Sequence, residues 1–388
     1  MAYLCRNKIH KGKAFCVTDC PSMEPDPVFV YSRVEAPASL PARDDRFVDV
    51  AILDMNHGWP NLGHDSLVHA VMDATCDLIP ALQGTGLRVR AISFDVRRTA
   101  LIPEPPGAGR FALYLGTGGP GHLDPRRNDG IAPSAQGVTE DPSWEPLLFR
   151  LFDAIQADPG AALLSVCHSF GIMCRWAGVA RPVLRGLEKG GKSVGILDNL
   201  LTPEALDHPW FRLFSERLRD GRRFRVVDHR LFDLIAEPGP ARVEGITLSR
   251  ETRGPGGPVD EALTMMEFAR DADGMVPRVL GVNHHPEIVD RSRQMMILRQ
   301  KRERGEVTAE WFLDRARALT ETYPDDTTDR RLQLTSDFTL LGPLRFYLHR
   351  QVRCRAEALG LDVDVDEDRV LEEAGRAVVA GPLGSGAV

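Results

Sequence analysis

Short apolar runs rich in β-branched residues alternate with amphipathic segments between residues 47 and 166, and this alternation limits the possible folds most strongly. Strands that alternate with helices form parallel sheets covered by helices on both faces. The sequence therefore predicts an α/β protein with a doubly wound, mostly parallel sheet and a ligand site at the carboxyl ends of its strands. The predicted strands are 47–55, 87–94, 111–116, 161–166, 223–229, 241–249 and 278–283, and the predicted helices among them are 66–82 and 144–155.

The two ends of the chain lack this alternation. Residues 1–47 are rich in proline and predict an irregular lead-in, whereas residues 293–388 show helical spacing without a strand pattern. We therefore predict an α/β domain at 48–292, followed by a helical C-terminal extension that caps this domain or faces a partner.

The composition limits the partners and the compartment. A net charge of −7 gives no support for nucleic-acid binding, which needs a basic face. The N-terminal residues lack the apolar region of a secretory signal, and without an apolar run of about 18 residues we expect no membrane span. Seven cysteines in 388 residues are too few for a disulfide framework, so we expect a cytoplasmic protein.

The segment LLSVCHSFGIMCRW, residues 163–176, places Cys167 where a predicted strand ends and a helical pattern begins. A cysteine at this point lies beside the unpaired N–H groups of a helix, which stabilise a thiolate and a developing oxyanion. The sharp turn favours small neighbours, and Ser165 and Ser169 meet this need. Cysteine is also among the most buried residue types, so this motif alone leaves a core role open.

The glycine-rich motif YLGTGGPGHLD, residues 114–124, follows the third predicted strand. Gly118 and Gly119 allow the backbone to turn tightly and to approach a ligand closely. The N–H of Gly119 could form an oxyanion hole with the N–H of His168. An ordinary turn explains the motif as well, and Pro120 argues against a dinucleotide-binding loop.

The motif VLGVNHHPEIVD, residues 279–290, places His285 and Glu287 two residues apart at the end of a predicted strand. Strand alternation points both side chains to one face, as a general base and its orienting carboxylate require. The side chain of His284 is expected on the opposite face, which makes His284 the weaker candidate for the base.

Together, GTGGPG, SVCHSFG and GVNHHPE resemble the three signature blocks of class I glutamine amidotransferases, in their order and approximate spacing. The resemblance covers about residues 48–292 and implies the flavodoxin-like fold of that family. It also implies that Cys167 is the nucleophile, that His285 is the general base and acid, and that Glu287 is the orienting acid.

The resemblance further implies the release of ammonia from glutamine through a thioester on the cysteine, with no cofactor. Gly118, Gly119 and His168 would line the oxyanion hole, and Gly171 stands where the family has a glutamine that lines the substrate pocket. This departure favours a wider pocket, so a γ-glutamyl amide or peptide is an alternative substrate. A binding protein that retains the fold without the chemistry is a third possibility. No synthetase module is visible in the sequence, so the ammonia acceptor would be a separate synthase.

A metal site is the least supported of the possible sites. Cys16 and Cys20 have the spacing of one pair of zinc ligands, with Cys5 and His10 nearby. Zinc sites usually combine two such pairs, so we predict no metal ligands.

Overall fold

The computed structural model describes residues 27–186, 191–253, 259–323 and 329–379. The strands are β1 (Phe29–Val34), β2 (Phe47–Asp54), β3 (Arg88–Asp95), β4 (Phe111–Gly116), β5 (Ala162–Val166), β6 (Ala180–Leu184), β7 (Gly195–Leu201), β8 (Arg223–Asp228), β9 (Phe232–Ala236), β10 (Ile246–Thr252), β11 (Val259–Arg270) and β12 (Pro277–Val282). The α-helices are α1 (Leu62–Asp77), α2 (Ile79–Leu82), α3 (Val96–Thr99), α4 (Trp144–Ala157), α5 (His168–Ala177), α6 (Pro203–Asp207), α7 (Pro209–Ser215), α8 (Arg291–Glu303), α9 (Ala309–Thr322), α10 (Arg330–Ser336), α11 (Gly342–Ala358) and α12 (Asp368–Val379). A π-helical segment, Asp337–Leu341, joins α10 to α11.

Ten of the described strands form one sheet, in the order β1-β3-β2-β4-β5-β12-β11-β10-β7-β8. The pairings from β1 to β12 are parallel. The pairings from β12 to β8 are antiparallel. Five of the nine pairings are therefore parallel, which confirms the prediction of an α/β protein with a mostly parallel sheet. Strands β6 and β9 form a separate antiparallel pair.

The central strands are buried on both faces, as their continuous apolar sequences predict. In β2 every residue is buried, and the two faces enter different hydrophobic clusters. Val50 and Ile52 pack with α1 and α11, whereas Ala51 and Leu53 pack with α4 and α5 on the other side. Helices thus cover both faces of the parallel half, in the doubly wound arrangement that the alternation predicts.

The expectation of an irregular lead-in over residues 1–47 is wrong for Phe29–Val34, which forms β1 at the edge of the sheet and pairs with β3. Only the first and last residues of β1 are fully buried, so its sequence FVYSRV lacks the long apolar run that marks a central strand. Other strands that the pattern did not predict are β6, β7, β9 and β11. The strand predicted at 241–249 begins later, at Ile246.

The helical region after residue 292 packs against the sheet. In α11, Leu344 and Leu348 are fully buried in the same hydrophobic cluster as Val50 and Leu113. This helix therefore fills part of one face of the α/β core, and the domain boundary predicted near residue 292 stays a prediction. No helix in the described ranges is both long and apolar enough to cross a membrane.

If α11 is part of the core, Leu344→Ala should lower the free energy of unfolding by about 2–5 kcal/mol, because it leaves a cavity beside the sheet. Leu359 follows the same helix and is 39% exposed, so Leu359→Ala should lower the free energy of unfolding by no more than about 1 kcal/mol. Urea denaturation followed by circular dichroism measures both values. Similar small losses in the two variants would contradict this account of the packing.

Candidate active site

Cys167 lies at the turn between β5 and α5, where it is the residue that precedes the helix. Its φ of 50° and ψ of −102° belong to a region that side chains with a Cβ rarely adopt, and such strain is concentrated at functional sites. The N–H of Cys167 donates to Val282 O at 2.7 Å, and its carbonyl accepts from Gly171 N–H at 3.0 Å. These bonds tie the turn to β12 and to α5. The thiol is partly exposed rather than sealed in the core.

Small residues around Cys167 allow this turn to sit close to β4. A Cβ atom on Gly116 would lie 2.5 Å from Ser169 Oγ and 2.9 Å from Ser165 Oγ. The hydroxyl of Ser169 donates to Thr117 O at 2.9 Å, which joins the turn to the start of the glycine-rich loop. The preference for small neighbours that the sequence suggests therefore has a packing reason.

His285 and Glu287 lie beside Cys167 and are bonded to each other. His285 Nδ1 is 2.8 Å from Glu287 Oε1, and the backbone N–H of His285 donates to Val227 O at 2.8 Å. Burial alone would lower the pKa of His285. The Glu287 carboxylate, negative charge on Cys167 and a hydrogen bond with each outweigh burial and hold this pKa well above its ordinary value. The imidazole is thus flanked by a sulfur and a carboxylate.

His284 lies on the other face, in the protein core. Its Nε2 is 3.2 Å from the hydroxyl of Thr339, and its ring is 6.1 Å from that of Phe224. Burial, with the nearby charges of His285 and Arg230, lowers the pKa of His284 to about 3. This histidine packs as a neutral core residue, away from the Cys167 sulfur.

Gly118 and Gly119 line the same cleft as Cys167 and His168. A Cβ atom on Gly118 would lie 3.0 Å from His285 Cε1 and 3.6 Å from Cys167 Cβ, so this backbone runs directly along the candidate pair. A Cβ atom on Gly119 would lie 2.2 Å from Met55 O, which is too close for a contact between non-bonded atoms, so this position needs glycine. The structure therefore brings the predicted oxyanion-hole residues together, and their binding of an oxyanion stays a prediction.

The side chain of His168 is buried beneath the glycine-rich loop. Burial and the charge of Arg97 lower the pKa of His168 well below its ordinary value, while a hydrogen bond to the backbone of Gly119 acts against them. Its Nε2 has no hydrogen-bond partner among the described residues. The ring is therefore neutral and connects the turn at Cys167 to the glycine-rich loop.

A buried ion pair holds the glycine-rich loop in place, and the sequence motifs did not predict it. Arg97 and Glu140 have fully buried side chains and form two hydrogen bonds, of 2.8 and 2.9 Å. Nη1 of Arg97 also donates to Met55 O at 2.9 Å and to Pro120 O at 2.6 Å. Because guanidinium–carboxylate pairs of this kind are directional, Arg97 fixes the loop relative to the end of β2.

The sequence-based expectation of a pocket widened at Gly171 is wrong. A Cβ atom on Gly171 would lie 2.5 Å from Leu123 Cδ1 and 2.7 Å from Leu123 Cδ2. The side chain of Leu123, which comes from the glycine-rich loop, therefore fills the space that a side chain at position 171 would need.

Cys167 and His285 open onto a cleft of about 680 Å³. Its walls are the segment before α1, the glycine-rich loop, the connection from β8 to β9, and one face of α9. In the segment NHGWPNLG, residues 56–63, Asn56 and residues 59–63 line the cleft. The sequence motifs did not single out the residues Lys192, Asn283, Trp311, Arg315 and Tyr323, which also line it.

His229 is the second histidine near the candidate base. Its ring centroid is 6.4 Å from that of His285. Burial, Lys192, His285 and Arg315 together lower the pKa of His229 to about 3, so the ring is neutral at physiological pH. His229 directly follows β8, and nothing in the local sequence pattern indicates which way its ring points.

Among the described residues, no group of three or more His, Cys, Asp or Glu side chains is arranged to hold a metal ion. Cys5, His10, Cys16 and Cys20, which were weighed as metal ligands, lie outside the described residues.

No family model and no curated protein matches the sequence. Similar solved structures include a glutamine amidotransferase from Thermotoga maritima, at 12% identity and a TM-score of 0.42, covering 79% of this chain and 98% of that one. The glutaminase domain of Trypanosoma brucei CTPS with bound acivicin has 10% identity and a TM-score of 0.36, covering 73% and 98%. Such low identities and TM-scores do not establish a family for this chain.

Gly118→Ala tests the close approach of the loop to the candidate pair. The new Cβ would force His285 or Cys167 to shift, so we expect alkylation of Cys167 by iodoacetamide to slow by about tenfold. Gly107→Ala is the matched control, because a Cβ atom there meets nothing within 4 Å. Peptide mass spectrometry gives the rate at Cys167. Equal alkylation rates in Gly118→Ala and Gly107→Ala would show that the loop is not in close contact with Cys167 and His285.

Proposed function

We propose that the protein is an amide hydrolase of the glutamine amidotransferase type, in which Cys167 releases ammonia from glutamine for a partner synthase. The observation that carries this proposal is the hydrogen-bonded series from Cys167 through His285 to Glu287, at the edge of an open cleft. The resemblance of three sequence blocks to class I glutamine amidotransferases supports the same chemistry.

In the first half-reaction, the thiol proton of Cys167 passes to His285, and the resulting thiolate attacks the amide carbon. The carbonyl π electrons move to the oxygen, which the N–H groups of Gly119 and His168 would stabilise. When this intermediate collapses, the carbon–nitrogen bond breaks and the His285 imidazolium donates its proton to the departing nitrogen. Ammonia leaves, and the acyl group stays on sulfur as a thioester.

In the second half-reaction, His285 accepts a proton from water, whose oxygen attacks the thioester carbon. Collapse breaks the carbon–sulfur bond and returns the proton to sulfur, so the acid product leaves and the thiol is regenerated. Glu287 holds the imidazole by its Nδ1 throughout and stabilises the imidazolium that forms in each half.

A γ-glutamyl amide or peptide is the second candidate substrate, and the size of the cleft favours it. A volume of about 680 Å³ lies within the range of roughly 300–1,000 Å³ that is typical of sites for ligands larger than an amino acid. The same catalytic residues would release an amine in place of ammonia.

Cys167→Ser tests the nucleophile. We expect the wild type to form one covalent adduct with the glutamine mimic diazo-oxo-norleucine, and to release ammonia from glutamine or an amine from a γ-glutamyl amide. Cys167→Ser should form no adduct and lose at least roughly 10³-fold in kcat. Cys354→Ser, which removes an exposed thiol, should behave like the wild type. Intact-protein mass spectrometry measures the adduct. No adduct and no hydrolysis in the wild type would favour a binding protein that only retains the fold.

Glu287→Gln tests the orienting carboxylate. It keeps the shape of the side chain but removes the charge that does most to raise the pKa of His285. We expect kcat to fall at least about tenfold. The alkaline limb of the kcat/KM profile, where the imidazolium loses its proton, should also move to lower pH, because His285 releases its proton more readily without the carboxylate. A lower rate with an unshifted profile would assign Glu287 a purely structural role.

A further inference from the structure

Three basic side chains among the described residues line the cleft that contains Cys167 and His285, and one of them, Arg230, is 3% exposed and lies 2.5 Å from a carboxylate oxygen of Glu251. The other two are Lys192 and Arg315. Arg315 comes from α9, and its guanidinium lies 5.6 Å from the centre of the Trp311 ring. Its carboxylate partner among the described residues is its neighbour Asp314, at 3.8 Å on an exposed side chain. This loose pair leaves the guanidinium able to bind a ligand.

Lys192 is exposed to solvent, and no carboxylate among the described residues pairs with it. Desolvation by the surrounding protein and the charge of Arg315 lower the pKa of Lys192, whereas negative charge on Cys167 acts in the opposite direction. Lys192 therefore lies within electrostatic reach of both Arg315 and the candidate nucleophile.

The described part of the cleft wall carries no comparable negative charge. Among the described residues that line it, Asp228 is the only one with a carboxylate, and it is 2% exposed. The carboxylate of Asp228 accepts a hydrogen bond from Ser193 Oγ at 2.6 Å and lies 3.5 Å from Arg230 Nε. Because its charge is buried and compensated, it offers little to an ammonium group in the cleft.

We infer that the preferred substrate is an amide with a net negative charge, whose carboxylate or phosphate binds between Lys192 and Arg315 and which has no free ammonium group beside that anion. The inference rests on the proposed amide hydrolysis by Cys167, and of the two candidate substrates it favours an anionic γ-glutamyl amide over free glutamine. Like charges brought together in a partly desolvated site repel. Glutamine itself would place its α-ammonium group in the field of the two basic side chains.

Three amides with the same scissile group separate these charge states: glutamine is a zwitterion, N-acetylglutamine is an anion, and the α-amide of N-acetylglutamine is neutral. With the wild type, we expect kcat/KM for N-acetylglutamine to exceed both other values by about tenfold. In Lys192→Gln and Arg315→Gln, kcat/KM for the anion should fall by about tenfold, while the value for the neutral amide should change little.

Arg317→Gln is the matched control, because Arg317 is an exposed arginine of α9 that does not line the cleft. It should leave all three kcat/KM values unchanged. Glutamine turned over as well as N-acetylglutamine, or equal losses on every substrate in Lys192→Gln, would overturn the inference while leaving the Cys167 chemistry intact.

Alkylation tests the same site without turnover. We expect the rate ratio of anionic iodoacetate to neutral iodoacetamide at Cys167 to fall severalfold in Lys192→Gln and Arg315→Gln but not in Arg317→Gln. If no amide is hydrolysed, the proposed function fails, and this ratio still measures the basic site. An unchanged ratio in both cleft variants would overturn the inference by itself.

Discussion

The parallel pairing of β5 with β12 is the constraint on which the candidate site depends. Val166 pairs with Val282, so the residues that follow the two strands emerge side by side at one edge of the sheet. The N–H of Cys167 extends this pairing by donating to Val282 O. Because β4 lies on the other side of β5, the glycine-rich loop reaches the same edge. Backbone hydrogen bonds between neighbouring strands thus bring together three segments that are far apart in sequence.

The charges around the candidate site then determine which of its histidines carries a proton. The carboxylate of Glu287 and the sulfur of Cys167 favour the imidazolium form of His285, whereas His229 and His284, in the same part of the molecule, are held neutral by burial. The buried pair of Arg97 and Glu140 is costly to desolvate, and the Arg97 hydrogen bonds to Met55 O after β2 and to Pro120 O of the glycine-rich loop give that pair a positioning role. Removal of either partner would leave a charge buried without compensation.

The sequence predicts the parallel half of the fold well, because strands such as β2 and β5 carry continuous apolar runs that local periodicity detects. The sites at the ends of these strands follow from the topology, and for this reason Cys167 and His285 could be singled out. Edge strand β1 escaped prediction because only its terminal residues are fully buried. Lys192 and Arg315 escaped it as well, since their place in the cleft depends on where the loop before β7 and helix α9 pack, which no local pattern encodes.

Leu123 illustrates why a motif position cannot be interpreted in isolation. A glycine at 171 suggests extra space if the rest of the pocket stays the same, but in this chain the glycine-rich loop supplies the missing volume. Another wall of the cleft comes from the C-terminal helical region. There, α11 fills the core while α9 carries Trp311 and Arg315 to the cleft. Because the two helices are separate elements, a substitution in α9 can change the charge of the cleft without opening the core that α11 fills. The geometry of Cys167 and His285, which the pairing of β5 with β12 determines, would then stay the same.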